Sequence, residues 1–200
     1  MELAQIKQNL EKKGYRVSVF SSGSEAVAYL DREIDGVSVG IGGSMTIKEL
    51  GLYEVLEKHN DMAWHAAPRP GEGSAEVMAR ADRAEVYLSS ANAIAASGEI
   101  VNIDGNCNRV AATMHGHRRV YFIVGRNKLA PTVEAAIDRA RNIAAPKNAK
   151  RLGKKTPCVA AGRCMDCSSP ERICRALVLF YCAPRGTETE VVLIDEELGY

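Results

Sequence analysis

The chain has 200 residues, 46% of them hydrophobic and 26% charged, the proportions of one ordinary globular domain. A chain of this length buries roughly 70% of its unfolded surface, so it needs neither disulfide nor metal in order to fold. Lys and Arg total 26 against 25 Asp and Glu, a net charge of +1 that argues against a nucleic-acid binder, and no run approaches the ~18 consecutive apolar residues of a membrane span.

In chain order, residues 3–13 have the spacing of a helix, with Leu3, Ile6 and Leu10 on one face and Gly14 ending it. The N-terminal stretch MELAQIKQNLEKKGYRV is amphipathic without an apolar signal core, which predicts a cytoplasmic protein whose six cysteines are free thiols or metal ligands rather than disulfides. Residues 16–20 alternate as a strand. A helix starting at 22–24 carries Ala26, Val27 and Leu30 inward. A strand over 37–41 leads to a helix over 46–58, and residues 62–65 form a short strand. Pro68, Pro70, Gly71 and Gly73 mark a loop. Then come a helix over 74–81, strands over 85–89, 99–103 and 119–124, and a helix over 131–144 with Pro131 as its first residue. Strands alternating with helices predict an α/β fold with a mostly parallel sheet flanked by helices. Such sheets bind ligands beyond the carboxyl ends of their strands, which singles out the loops after Ile41, Ser89, Ile103 and Val124.

After residue 145 the pattern changes. Residues 146–163 hold six basic side chains and no acidic one, and residues 156–175 form a cysteine-rich segment inside what reads as one domain over 1–200. Runs at 176–182 and 190–194, separated by Pro184-Arg185-Gly186, predict an antiparallel β-hairpin.

Three constellations point to chemistry. In SVGIGGSMTIKELG (38–51) a strand runs through glycines into a helix, with Thr46 and Glu49 spaced as a capping box. Unpaired N–H groups at a helix start favour an anion, and Gly42 and Gly43 let it approach the backbone, with Ser44 and Thr46 as hydroxyl contacts. The spacing matches neither a P-loop nor G-x-G-x-x-G. The second constellation lies in residues 89–109, where Asn92, Asp104, Asn108 and Arg109 fall near strand ends. There they read either as turn formers or as contacts to a small carboxylate or phosphate-containing ligand. Glu99 is an exposed strand-edge carboxylate or, if desolvated, a nucleophile or general base. The four histidines have no metal-ligand spacing, and His115-Gly-His117 reads as a solvated loop.

The third is the cysteine run. Cys158, Cys164, Cys167 and Cys174 stand as C-x5-C-x2-C-x6-C, the number of thiols needed for an iron–sulfur cluster or, alternatively, a structural zinc. Free or redox-active thiols are the other reading. Ser169, Pro170 and Glu171 read as the start of a short helix carrying Cys174. Cys107 and Cys182 lie apart and read as buried small residues.

Four stretches, GIGGSMTIKELGL (40–52), ANAIAASGEIVNIDGNCNRVA (91–111), NIAAPKNAKRL (142–152) and TPCVAAGRCMDCSSPERIC (156–174), together resemble the LUD-domain lactate-utilisation proteins, formerly a domain of unknown function. The resemblance implies a fold similar to the CoA-transferase and sugar-phosphate-isomerase class. It also implies a role in oxidising L-lactate to pyruvate beside iron–sulfur partner subunits. That family's turn reads Asp-Gly-Asn-Gly-Asn-Arg, whereas Cys107 here replaces the second glycine, and the charged stretch after the Trp64 region is replaced by His65-Ala-Ala-Pro. An accessory or electron-handling subunit is thus the leading expectation. The alternatives are a CoA-transferase-like or isomerase-like enzyme using Glu99, and a small-anion-binding module with a structural metal. No dinucleotide fingerprint is present, so the chain is not expected to hold the primary flavin or nicotinamide.

Overall fold

Six short aliphatic runs pair side by side, all parallel, in the computed structural model, which describes residues 2–200. They are β1 (Arg16–Phe20), β2 (Ser38–Ile41), β3 (Asp61–Trp64), β4 (Val86–Ser89), β7 (Arg119–Gly125) and β10 (Glu188–Ile194), in the order β1-β10-β7-β4-β2-β3. A smaller mixed sheet joins β5 (Ala93–Ala95), β6 (Ile100–Asp104), β8 (Leu129–Ala130) and β9 (Ala176–Phe180) in the order β8-β5-β6-β9. The fold is therefore α/β, with a mostly parallel sheet flanked by helices. Among the described residues no helix is long and apolar enough to cross a membrane.

One face of the large sheet packs on α2 (Gly23–Glu33), α3 (Met45–Glu49) and α4 (Leu52–Leu56), through Ala26, Leu30, Ile47 and Leu52 against Val39, Tyr121 and Val192. The other face meets α1 (Leu3–Lys12), α5 (Ser74–Ala81) and the small sheet, with Ile6, Leu10 and Ala81 beside Tyr87, Phe122, Ile94 and Phe180. A third core cluster seats α7 (Val133–Arg139) on the small sheet through Ala136, against Ala93, Ala95 and Val101.

Several expectations are corrected. The helix expected over 46–58 is two short helices, because Gly51 takes φ 60° and turns the chain between α3 and α4. The Thr46–Glu49 capping box does not form. Ser44 is the N-cap and accepts from the Ile47 N–H at 3.3 Å, which leaves Thr46 buried inside the first turn. Pro131 precedes its helix, because Thr132 caps α7 by accepting from the Ala135 N–H and the preceding Leu129–Ala130 pairs with β5. The C-terminal β-hairpin is absent. β9 pairs antiparallel with β6, while β10 lies between β1 and β7, parallel to both. The buried run from Thr189 to Ile194 explains the placement, since a strand covered on both faces belongs in a parallel sheet. The helix expected after Ser169 is an irregular loop. The Arg172 guanidinium donates to the Cys167 and Cys174 carbonyls, and the Arg175 N–H donates to the Asp104 carbonyl, so the backbone finds partners without a helix.

Further elements lie where no helix or strand was expected: β5, β8, α6 (Asn108–Met114) and α9 (Pro157–Ala161). The helix begun by α7 also runs on through a π-helical segment (Ala140–Ala144) into α8 (Ala145–Arg151). Cys107 and Cys182 are exposed rather than buried. His117 is buried, its Nδ1 2.6 Å from the Ala84 carbonyl oxygen, and is not in a solvated loop.

Candidate functional site

The loops at the carboxyl ends of β2, β3, β4, β6 and β7 open on one polar cleft of about 510 Å³. Gly43 and Ser44 follow β2, His65 follows β3, Ser90 follows β4, and Asp104 ends β6. Lys128, past the end of β7, reaches in from below, and Tyr200 closes one side. Of the residues singled out in the sequence, Gly43, Ser44, Asn92, Asp104, Asn108 and Arg109 line this cleft. Gly42 lies just behind it. A Cβ on Gly42 would stand 2.8 Å from Arg109 Cγ, so the glycine makes room for the arginine rather than for a ligand.

Arg109 works chiefly as an internal clamp. Its Nη1 donates to the Ser90 carbonyl at 3.2 Å and to Asn102 Oδ1 at 2.8 Å, and its Nη2 donates to the Ile103 carbonyl at 2.7 Å. Asp104 lies 3.6 Å from its Nε and itself accepts from the Cys107 and Val110 N–H groups. Asn92 accepts from the Ile103 N–H at 2.7 Å. These bonds hold the Asp104–Arg109 turn against β4 and β6 and fix the shape of the cleft wall. α3 is only five residues long, so its dipole contributes little to an anion in the cleft.

The positive charge at the cleft floor comes instead from Lys128, which the sequence reading missed. Its side chain is 3% exposed, and its Nζ donates to Thr46 Oγ1 at 2.7 Å and Ser90 Oγ at 2.9 Å. Burial, with Arg139 and Arg109 nearby, pulls its ammonium down to about 7, against a smaller opposing effect of Glu49. The only signal in the sequence is a lone lysine directly before an apolar pair, four residues past a buried strand. His65, also missed, lines the cleft, and burial lowers its pKa.

Glu99 does not join these residues. It sits before β6, where Lys13 Nζ donates to its carboxylate at 2.8 Å and Ser97 Oγ donates to the other oxygen. Burial raises its pKa, but the bonds from Lys13 and Ser97 outweigh this and hold the carboxyl below the ordinary glutamate value.

Cys158, Cys164, Cys167 and Cys174 line a second cavity of about 360 Å³. None is in a disulfide. Among the described residues no group of three or more His, Cys, Asp or Glu side chains is gathered at metal-binding geometry. The donor set matches a thiolate-held metal in identity and number: four cysteines line one cavity, and Arg141 and Arg172 bring positive charge to its wall, but the thiols are not converged in the geometry a bound metal would impose. Arg141 Nη2 lies 3.7 Å from Cys164 Sγ. The two cavities touch, since Ile103 and Ala145 line both.

The model of the LUD domain family matches residues 3–194 of this sequence. The chain belongs to the LUD domain family. Members of this family are associated with lactate utilisation. A DUF162 family protein from Deinococcus radiodurans, in a crystal structure at 1.70 Å resolution, shares the fold. The likeness covers 96% of this LUD chain and 95% of that one, with a TM-score of 0.56 at 13% identity. The crystal structure of eIF2B beta from Chaetomium thermophilum matches over 64% of this chain and 39% of that one, at 17% identity and a TM-score of 0.32. No curated protein matches the sequence.

Proposed function

We propose that this LUD protein is an accessory, electron-handling subunit in the oxidation of L-lactate to pyruvate. It binds a short carboxylate in the polar cleft and an iron–sulfur cluster through Cys158, Cys164, Cys167 and Cys174. The observation that supports this reading best is the shared wall. The cleft and the four-cysteine cavity are lined in common by Ile103 and Ala145, so a ligand in one lies about one side-chain layer from a group in the other. An iron–sulfur cluster held there would accept and pass on single electrons. The chain's own part is to supply the thiols, to offset the cluster's negative charge with Arg141 and Arg172, and to keep the carboxylate close. In this reading the protein works beside iron–sulfur partner subunits, as its resemblance to lactate-utilisation proteins implies. Reading Glu99 as a CoA-transferase nucleophile gains nothing from its position, which is outside the cleft and bonded to Lys13.

The test is iron, acid-labile sulfide and zinc per chain after anaerobic purification, with a visible absorption spectrum. Near-equal iron and sulfide, lost in Cys164→Ser, is the expected result. Stoichiometric zinc, or no metal, would overturn the electron-handling role and leave a small-anion-binding module.

A further inference from the structure

Lys128 is a buried amine and, among the described residues, makes no ion pair with a carboxylate. Its Nζ is held by two hydroxyls, and their own protons are already committed. Thr46 Oγ1 donates to the Leu198 carbonyl at 3.3 Å, and Ser90 Oγ donates to the Ile123 carbonyl at 2.6 Å. Both hydroxyls therefore turn lone pairs toward Nζ and must accept from it. This cage occupies two N–H donors. A neutral amine has only two, so it would present a lone pair to the cleft. An ammonium has a third, which neither hydroxyl takes and which a ligand oxyanion in the cleft that Lys128 lines could accept. A ligand oxyanion is thus accommodated by one protonation state and repelled by the other.

The charged groups around Nζ fit this reading. Arg109 from α6 and Arg139 from the end of α7 oppose a charge on Lys128, and Glu49 from α3 favours one. Glu49 is already engaged, since its Oε2 accepts from the Gly199 N–H at 2.6 Å. Arg139 is engaged by the Asn127 carbonyl at 2.9 Å and by the Asn92 carbonyl. Arg109 and Arg139 are thus both tied to carbonyl oxygens, Glu49 keeps its charge beside Lys128, and Lys48, His65, Asp104, Arg151 and Lys154 line the same cleft. Burial leaves the amine close to half-protonated near neutral pH, with a pKa of about 7.

We infer that Lys128 is the anion-recognising residue of the cleft, and that a small oxyanion binds there together with one proton taken up by Lys128. Resting on the function proposed above, that oxyanion is the carboxylate of a short 2-hydroxy or 2-oxo acid. The same chemistry would suit a phosphate group, and the test separates the two.

The experiment is isothermal titration of the full chain with pyruvate, L-lactate and sulfate, each at pH 6 and pH 8. Each is run in two buffers of different ionisation enthalpy, so that protons taken up per anion are counted on the unmodified protein. At pH 8 close to one proton should enter per carboxylate bound, and at pH 6 close to none. Affinity should fall about tenfold from pH 6 to pH 8, following the fraction of Lys128 that is charged. Lys128→Met should lose both binding and proton uptake while keeping its circular dichroism spectrum. Carboxylate binding with equal affinity at both pH values and no proton uptake would overturn the role of Lys128 but leave the carboxylate cleft standing. Proton-linked binding of sulfate alone would support Lys128 and overturn the carboxylate. Absence of binding by all three anions would overturn both.

Discussion

Lys128 and Cys107 each occupy a position that their residue type makes costly. A folded-state pKa of about 7 for Lys128 lies below the unfolded value, so the unfolded chain binds more protons between the two. Stability from this site is then lowest below pH 7 and rises as pH climbs toward the ordinary lysine pKa. Lys128→Met should remove that rise, and chemical denaturation of both proteins from pH 6 to 10 would read it. The difference at pH 6 is expected to be a few kcal/mol in favour of the variant, at roughly 1.4 kcal/mol per unit of pKa. Parallel pH profiles would show that Lys128 is not buried as a strained charge. Cys107 carries φ 64°, a left-handed backbone that disfavours a Cβ. It stands where the sequences it resembles carry glycine. Cys107→Gly should stabilise the fold by about 1 kcal/mol, measured by urea melting, and should leave the cleft unchanged because the side chain faces outward. A destabilised Cys107→Gly would mean that the thiol makes a contact the turn needs.

At the scale of elements, the Asp104–Arg109 turn is the joint between the two cavities. Gly105 lies so close to the cysteine-rich segment that a Cβ would stand 2.7 Å from the Ile173 carbonyl oxygen, and the Asp104 carbonyl accepts from the Arg175 N–H at 2.9 Å. Gly105→Ala should therefore push residues 173–175 outward, cost about 1–3 kcal/mol and, by displacing Cys174, lower the content of the cluster proposed above. Wild-type metal content in a stable Gly105→Ala protein would mean that the segment holds its cysteines without the turn. Local pattern made much of the fold legible. The strand at 16–20 and the helix at 74–81 have the same bounds in sequence and structure, because alternation marks the strand and the Pro- and Gly-rich loop through Gly73 marks where the helix can begin. The turn Pro184-Arg185-Gly186 pointed to a hairpin because proximity along the chain favours one, but pairing is decided by burial. β10 is buried on both faces from Thr189 to Ile194 and fits between two other strands, while the half-buried β9 takes the edge of the small sheet. Six of the eight proposed ligand residues line one cleft: Gly43 and Ser44 come from the end of β2 in the parallel sheet, Asn92 from the stretch after β4, and Asp104, Asn108 and Arg109 from the end of β6 in the smaller sheet, which faces the same space. Lys128 was not legible, since nothing in the sequence around a lysine says that its charge will be enclosed.

At the scale of the whole molecule, the large sheet gathers the loops that make the cleft, and the small sheet turns β6 so that its end faces both cavities. Ile103 contributes to both from β6, and Ala145 does so where the π-helical segment passes into α8. A π segment widens the helix by one residue per turn and re-aims the side chains after it. Here Arg141 points to the cysteine side, while Ala144 and Asn148 line the cleft. A wall this thin predicts cross-talk that no separate domain would give. In protein carrying a reduced cluster, adding pyruvate should change the electron paramagnetic resonance signal, because a carboxylate and a proton arriving one layer away alter the field at the cluster. The change should saturate with the same concentration dependence as pyruvate binding and be absent in Lys128→Met. A signal indifferent to saturating pyruvate in wild-type protein would mean that the two cavities are neighbours without being coupled, and the electron-handling role would then have to be sought at the surface of the cysteine segment, where Met165 and Leu177 are 48% and 44% exposed beside the thiols.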